Sequence, residues 1–147
     1  MRAPTPGHEV SVLRPRAAFA ACVLIALSLA ACGNGDRERD AAAVTQAFHR
    51  ALQSGDGNAA CDQLSEEAAS KLEQQEGKPC EEAIVTLKIP KGGTVAVRRV
   101  ELRNAYMGLA EGSADFLEEG PHGWEIAAAG CEPGASSDQP YDCELEG

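Results

Sequence analysis

Lysine is scarce in this chain of 147 residues: four Lys and nine Arg face 23 Asp and Glu, for a formal charge of −10. A surface of that sign repels a polyanion, because nucleic-acid binding rests on clustered cations that displace counterions. Nucleic acid is thereby excluded as a partner. Long apolar runs are missing as well: the apolar run at the N-terminus, Ala17 to Ala31, has 15 residues, whereas a helix crossing the hydrocarbon core needs about 20. Catalytic signatures are absent in turn. No Gly-x-Ser-x-Gly elbow is present, and Gly92 and Gly93 are not followed by the Gly-Lys of a phosphate loop. No His and carboxylate cluster with metal-ligand spacing stands out, so neither a metal nor another cofactor is expected.

What is present begins at the N-terminus. Arg2, Arg14 and Arg16 precede the uncharged run, which gives the basic-then-apolar order of an export signal. The run ends in Leu29, Ala30, Ala31 and Cys32, followed by Gly33. These residues resemble the lipobox shared by bacterial lipoprotein signals. The resemblance implies that residues 1–31 are a cleaved signal peptide and that Cys32 carries a thioether-linked diacylglycerol, often with N-acylation. Small side chains at Ala30 and Ala31 admit a protease to the backbone, and a thiol is the soft nucleophile that takes the lipid. Two or more acyl chains, at about 0.8 kcal/mol per buried methylene, anchor a protein stably. The expected location is therefore the extracytoplasmic face of a cell membrane, with that membrane as a partner. An uncleaved signal anchor and an ordinary Ala-x-Ala cleavage are the competing readings. Removing residues 1–31 takes away three Arg and one Glu, leaving 116 residues with 10 basic and 22 acidic groups, a net charge of −12. An acidic body of that kind is expected to stand off an anionic bilayer.

Six cysteines are present, of which Cys22 lies in the discarded run and Cys32 is the lipid site. Cys61, Cys80, Cys131 and Cys143 remain, and export to an oxidising compartment makes bridges the default. Three pairings are open. Cys61 with Cys80 and Cys131 with Cys143 keep each bridge within its own segment and are the pairing expected. Zinc is the rival, but no pair shows the short spacing that chelation favours. Bridges matter because Leu, Ile, Val and Phe make up only 18 of the 116 mature residues, a fraction at which disorder competes with folding.

Along the mature chain, residues 32–39 are polar and glycine-bearing and read as a tether. Asp40 is placed to cap a helix whose stripe is Val44, Ala47, Phe48, Ala51 and Leu52, ended by Gly55. Asn58 opens a short turn with Cys61 and Leu64, Ser65 caps a stretch through Leu72, and Pro79 starts a short helix to Leu87. After Gly92 and Gly93 the apolar period changes to two. Val95, Val97, Val100 and Leu102 form a strand with an irregularity at Arg98 and Arg99. Strands at Tyr106 to Ala110, Ala114 to Glu118 and Trp124 to Ala129 come next, separated by turn residues. The class is α+β: N-terminal helices packed on a curved antiparallel sheet of about four strands, stapled by two disulfides. Residues 40–131 form the domain and 132–147 a disulfide-pinned tail.

This order of parts, with the first amphipathic helix and the Gly123-Trp124 strand, resembles the nuclear transport factor 2-like cone over roughly Asp40 to Ala129. The resemblance implies a pocket lined by Phe48, Leu52, Tyr106, Phe116 and Trp124, and in enzyme branches a desolvated carboxylate or His that moves a proton. His49, Asp115 and Tyr106 are the candidates. His49 reads as lying off the apolar stripe and solvated, Asp115 as facing water opposite an inward Phe116, Tyr106 as packing, and His122 as exposed. The functional reading is a non-enzymatic envelope domain that binds a partner protein or a small apolar ligand. A degenerate isomerase- or cyclase-like enzyme and a purely structural envelope protein are the alternatives.

Overall fold

In the computed structural model, which describes residues 16–136 and 139–147 with side chains from Asn34 onward, the first element is helix α1, Arg16–Ser54. The expected signal peptide falls partly, and the Cys32 side chain wholly, outside the described residues. Two units separate between Gly33 and Asn34, and the second, Asn34–Gly147, holds all the remaining elements. Among the described residues no helix is long and apolar enough to cross a membrane.

Residues 34–39, expected within a polar tether, belong to α1, and Asp40 lies inside the helix instead of capping it. The physical reason is Arg37. Its guanidinium donates to Glu119 Oε2 at 2.8 Å and to the Leu102 carbonyl, and sits 5.2 Å from the Trp124 ring centroid. These contacts hold this part of the helix against one end of the sheet. Asp36 and Arg39 add an ion pair one turn apart. The buried face of α1 includes Ala41, Ala42, Thr45, Phe48, His49, Ala51 and Leu52, so it holds Phe48, Ala51 and Leu52 of the expected stripe, with Val44 partly buried against the core, and is widened by Thr45 and His49.

Gly55, at φ +72°, ends α1 as expected. Asp56, not Asn58, caps α2 (Gly57–Cys61) by accepting from Ala59 N–H. Ser65 caps α3 (Glu66–Glu76) through Ala68 N–H, with Gly77 closing it in the left-handed region. Helix α4 (Cys80–Ala83) runs into a 3-10 turn, Ile84–Thr86. The first disulfide, Cys61–Cys80, joins α2 to α4.

The sheet is antiparallel and open, in the order β1 (Val95–Glu101), β2 (Asn104–Leu109), β3 (Ala114–Gly120), β4 (Gly123–Cys131) and β5 (Leu145–Glu146). It has five strands rather than about four. The fifth comes from the tail, which the Cys131–Cys143 disulfide folds back so that Leu145 pairs with Ala129. The irregularity in β1 falls between Val95 and Val97 rather than at the Arg pair, and Leu102 is not a strand residue but lies in the β1–β2 turn.

Alternation divides the sheet into two faces. Val100, Ala105, Met107, Leu117, Ile126, Ala129 and Leu145 point toward the helices and close on Phe48, Leu52, Leu64, Leu72, Ile84 and Ile89 in one apolar core. Ile126 also exchanges backbone hydrogen bonds with the segment before α3: Ser65 N–H donates to its carbonyl and its N–H donates to Gln63.

Candidate functional site

The five residues expected to line one pocket are divided between the two faces. Phe48 and Leu52 are buried in the core, where they touch the inner face. Trp124 is half-buried against the core, with Arg37 over its ring. Tyr106 and Phe116 are together, but on the outer face. The ring centroids of Tyr106 and Phe116 are 5.5 Å apart and edge-on. Tyr141 joins them, 5.1 Å from Phe116 and 6.3 Å from Tyr106.

Each member of this trio has a local cause. Tyr106 and Phe116 are directly opposed in the β2–β3 register, where cross-strand aromatic pairs stabilise a sheet. Tyr141 arrives from the tail. The Cys131–Cys143 bridge and the paired backbone hydrogen bonds between Glu132 and Asp142 turn the tail back, which sets Tyr141 over the sheet. Together with Arg99, Glu101, Asn104 and Ala105 the three rings line a hollow of about 340 Å³, within the range of small-ligand sites. Arg99 lies 5.6 Å from the Tyr106 ring centroid, a cation facing a π system. Burial and the neighbouring Tyr141 hydroxyl push the Tyr106 phenol above its ordinary value of 10.0, against a downward pull from Arg99.

A larger hollow, about 710 Å³, lies between α3 and the end of the β3–β4 hairpin. Its walls carry Glu66, Glu67, Glu118, Glu119 and Glu125 with Lys71 and Arg103, and no aromatic ring. Size alone does not make it the better ligand site, because it lacks the aromatic and aliphatic lining that drives small-molecule binding.

His49 and Asp115 require a correction. Neither is solvated: they are 1% and 0% exposed, and His49 Nε2 is 2.7 Å from Asp115 Oδ2. Asp115 Oδ1 accepts from Gly130 N–H at 3.1 Å. With Asp115 as a carboxylate, Nε2 donates across this contact. Among the described residues the His49 Nδ1 has no hydrogen-bond partner, and neither does the buried hydroxyl of Ser113. Backbone closes over the ring: a Cβ on Gly93, at φ +77°, would stand 2.4 Å from the His49 Cβ. Glycine is required there for both space and conformation.

Assigning Phe116 to the core is what turns Asp115 toward water in the sequence reading. Phe116 is outside because the tail covers that face, and β3 alternation then turns Asp115 and Leu117 inward together. The parity of Leu117 with Asp115 is the signal that finds this. For His49 the signal is its spacing from Thr45 and Leu52, four and three residues along one helix face.

Both expected disulfides, Cys61–Cys80 and Cys131–Cys143, are present. Among the described residues no three His, Cys, Asp or Glu side chains group as a metal site. No family model, no curated protein and no solved structure matches the chain.

Proposed function

We propose that residues 32–147 form a lipid-anchored domain on the extracytoplasmic face of a cell membrane, which binds a partner segment or small apolar ligand and carries out no catalysis. The observation that carries the binding role is the outer-face hollow of Tyr106, Phe116 and Tyr141. Aromatic rings offer large apolar area at small conformational cost, and Tyr hydroxyls add polar handles. Arg99, Glu101 and Asn104 stand at the same hollow to orient what enters. The lipobox residues Leu29 to Cys32 and the two bridges of the body support the location, since disulfides persist where thiols are not kept reduced. Helices preceding an antiparallel sheet support a small cone of the nuclear transport factor 2-like type.

The test is a photo-crosslinking aromatic amino acid in place of Tyr141, used in intact envelopes. A discrete adduct is expected, weakened when Phe116 is also replaced by Ala. No adduct from a native-folded protein contradicts the binding role.

A second reading, proton transfer, is favoured by one observation: Asp115 orients His49 through Nε2 while Nδ1 has no hydrogen-bond partner among the described residues. Its weakness is access: His49 lies at the wall of a hollow of about 240 Å³ with Gln53, Gly93 and Thr94, yet Gly93 packs on it and both members of the pair are buried. The first reading treats the pair as a strut between α1 and β3.

A further inference from the structure

The turn between β1 and β2 is built from a residue that neither stability nor solubility favours. Leu102 stands at φ +53°, in the left-handed region where Gly, Asn or Asp is the natural occupant of a tight hairpin. Its side chain is 87% exposed, far above the other exposed large apolar residues, Val85, Val97 and Tyr141. Leucine here strains the backbone and presents apolar surface at the tip of a hairpin, the shape of a group that enters another phase.

The surroundings identify that phase. Arg37 donates to the Leu102 carbonyl, and Arg103, the next residue in the turn, donates through Nη2 to the Glu119 carbonyl at 2.5 Å. Arg37 also pairs with the Glu119 carboxylate, so that acid is matched where the turn meets α1. Two guanidinium groups therefore flank the exposed leucine, although Glu101 and Glu118 lie on the adjoining strands and the mature chain as a whole is strongly acidic. Apolar insertion is the main term, with Arg103 placed for a lipid phosphate and the Arg37 charge matched by Glu119. Chain length supplies proximity: Cys32 precedes Arg37 by five residues, which span at most about 18 Å when fully extended.

We infer that the Leu102–Arg103 turn is a membrane contact: Leu102 enters the headgroup–acyl boundary of the bilayer that holds the lipid on Cys32, and Arg103 faces the phosphates. The inference rests on the lipid-anchored reading above. A single leucine does not hold a protein on a membrane. Once the chain is tethered, however, the contact forms at high effective concentration and sets the orientation of the body. The body is then held with this tip toward the bilayer, and Glu101 and Asn104, which flank the turn and line the outer-face hollow, place that hollow beside the membrane surface.

The experiment uses the full-length, lipid-processed protein in vesicles containing brominated phospholipid. Wild type, which has Trp124 alone, is compared with Leu102→Trp and with Val85→Trp. Val85 lies three residues before Lys88, which lines a hollow with Gly130 and Glu132 at the far end of β4. Leu102→Trp is expected to add emission that is blue-shifted and lost on bromination, whereas Val85→Trp adds emission insensitive to bromine. Leu102→Asn, which suits the turn better, is expected to fold as well as wild type and to tumble more freely on the vesicle by Trp124 anisotropy. Chemical analysis of the same sample for diacylglycerol on Cys32 separates the two claims. Lipid on Cys32 with unquenched added emission in the Leu102→Trp variant overturns the membrane contact and leaves the anchor standing. Absence of lipid overturns the anchor and the contact with it.

Discussion

The two faces of one sheet solve different problems with the same strands. On the inner face, Met107, Leu117 and Ile126 pack against α1 and α3, and the one ionisable pair admitted, His49–Asp115, is closed off by Gly93. On the outer face, Tyr106 and Phe116 meet Tyr141 from the tail, with Arg99 over the Tyr106 ring and a hollow left beside them. The inner face is closed by helices that precede the sheet in sequence, the outer by a short segment after it. The inner face accordingly carries stability, and the outer face has surface to spare for recognition. Alternation alone decides which side chain serves which purpose, so a one-residue error in parity exchanges the roles of Asp115 and Phe116.

Breaking the inner face should cost most. Asp115→Ala leaves His49 buried without its partner, and removing one member of a buried pair destabilises by about 3–5 kcal/mol. The check is the denaturant midpoint, which is expected to fall steeply, with loss of signals from both α1 and β3. A change near zero would mean that the pair is not the strut described.

The outer face should yield more gently and more locally. Replacing the second bridge by Cys131→Ala with Cys143→Ser frees the tail, for which chain-entropy estimates give about 3 kcal/mol. Hydrogen exchange is expected to rise in β5 and around Tyr141 while the amides of α1 and β2 keep their protection. Uniform loss of protection would show that the two faces are one cooperative unit rather than two.

The smallest effect is a titration. Because the Tyr106 phenol is raised in the folded protein, the folded state holds its proton more tightly than the unfolded chain does. Its contribution is complete below the unfolded value and is lost as pH rises from there through the folded value. Alkaline destabilisation beginning near pH 10.0 is therefore expected in wild type. The measurement is Tm against pH, and Tyr106→Phe should flatten that limb of the profile. An unaltered alkaline limb in the variant would assign the effect elsewhere.

Much of this is legible in the residues. The helices-then-sheet order, the Ser65 and Gly55 punctuation and the disulfide pairing arise from local chemistry: caps, positive-φ glycines and cysteines close in sequence. The helicity of residues 34–39 is not legible, because it depends on Arg37 reaching Glu119 and Trp124, partners more than 80 residues away in the chain. The fifth strand is hidden for a related reason, since Leu145 and Glu146 form a strand only because Cys143 is tied to Cys131. The candidate hollow is half legible. Tyr106 and Phe116 can be named for it, but Phe48, Leu52 and Trp124 join them only if every large apolar residue of the sheet faces the helices. The tail gives the outer face an apolar cover of its own, and with it a reason for Phe116 to point outward.

The most direct test of the anchored, extracytoplasmic assignment is palmitate labelling of the wild-type chain and of Cys32→Ala in a bacterial host that processes lipoproteins. Labelled wild type beginning at residue 32, beside an unlabelled and unprocessed variant, is the predicted result; equal labelling of the two, or a wild-type chain that still begins at Met1, would contradict it.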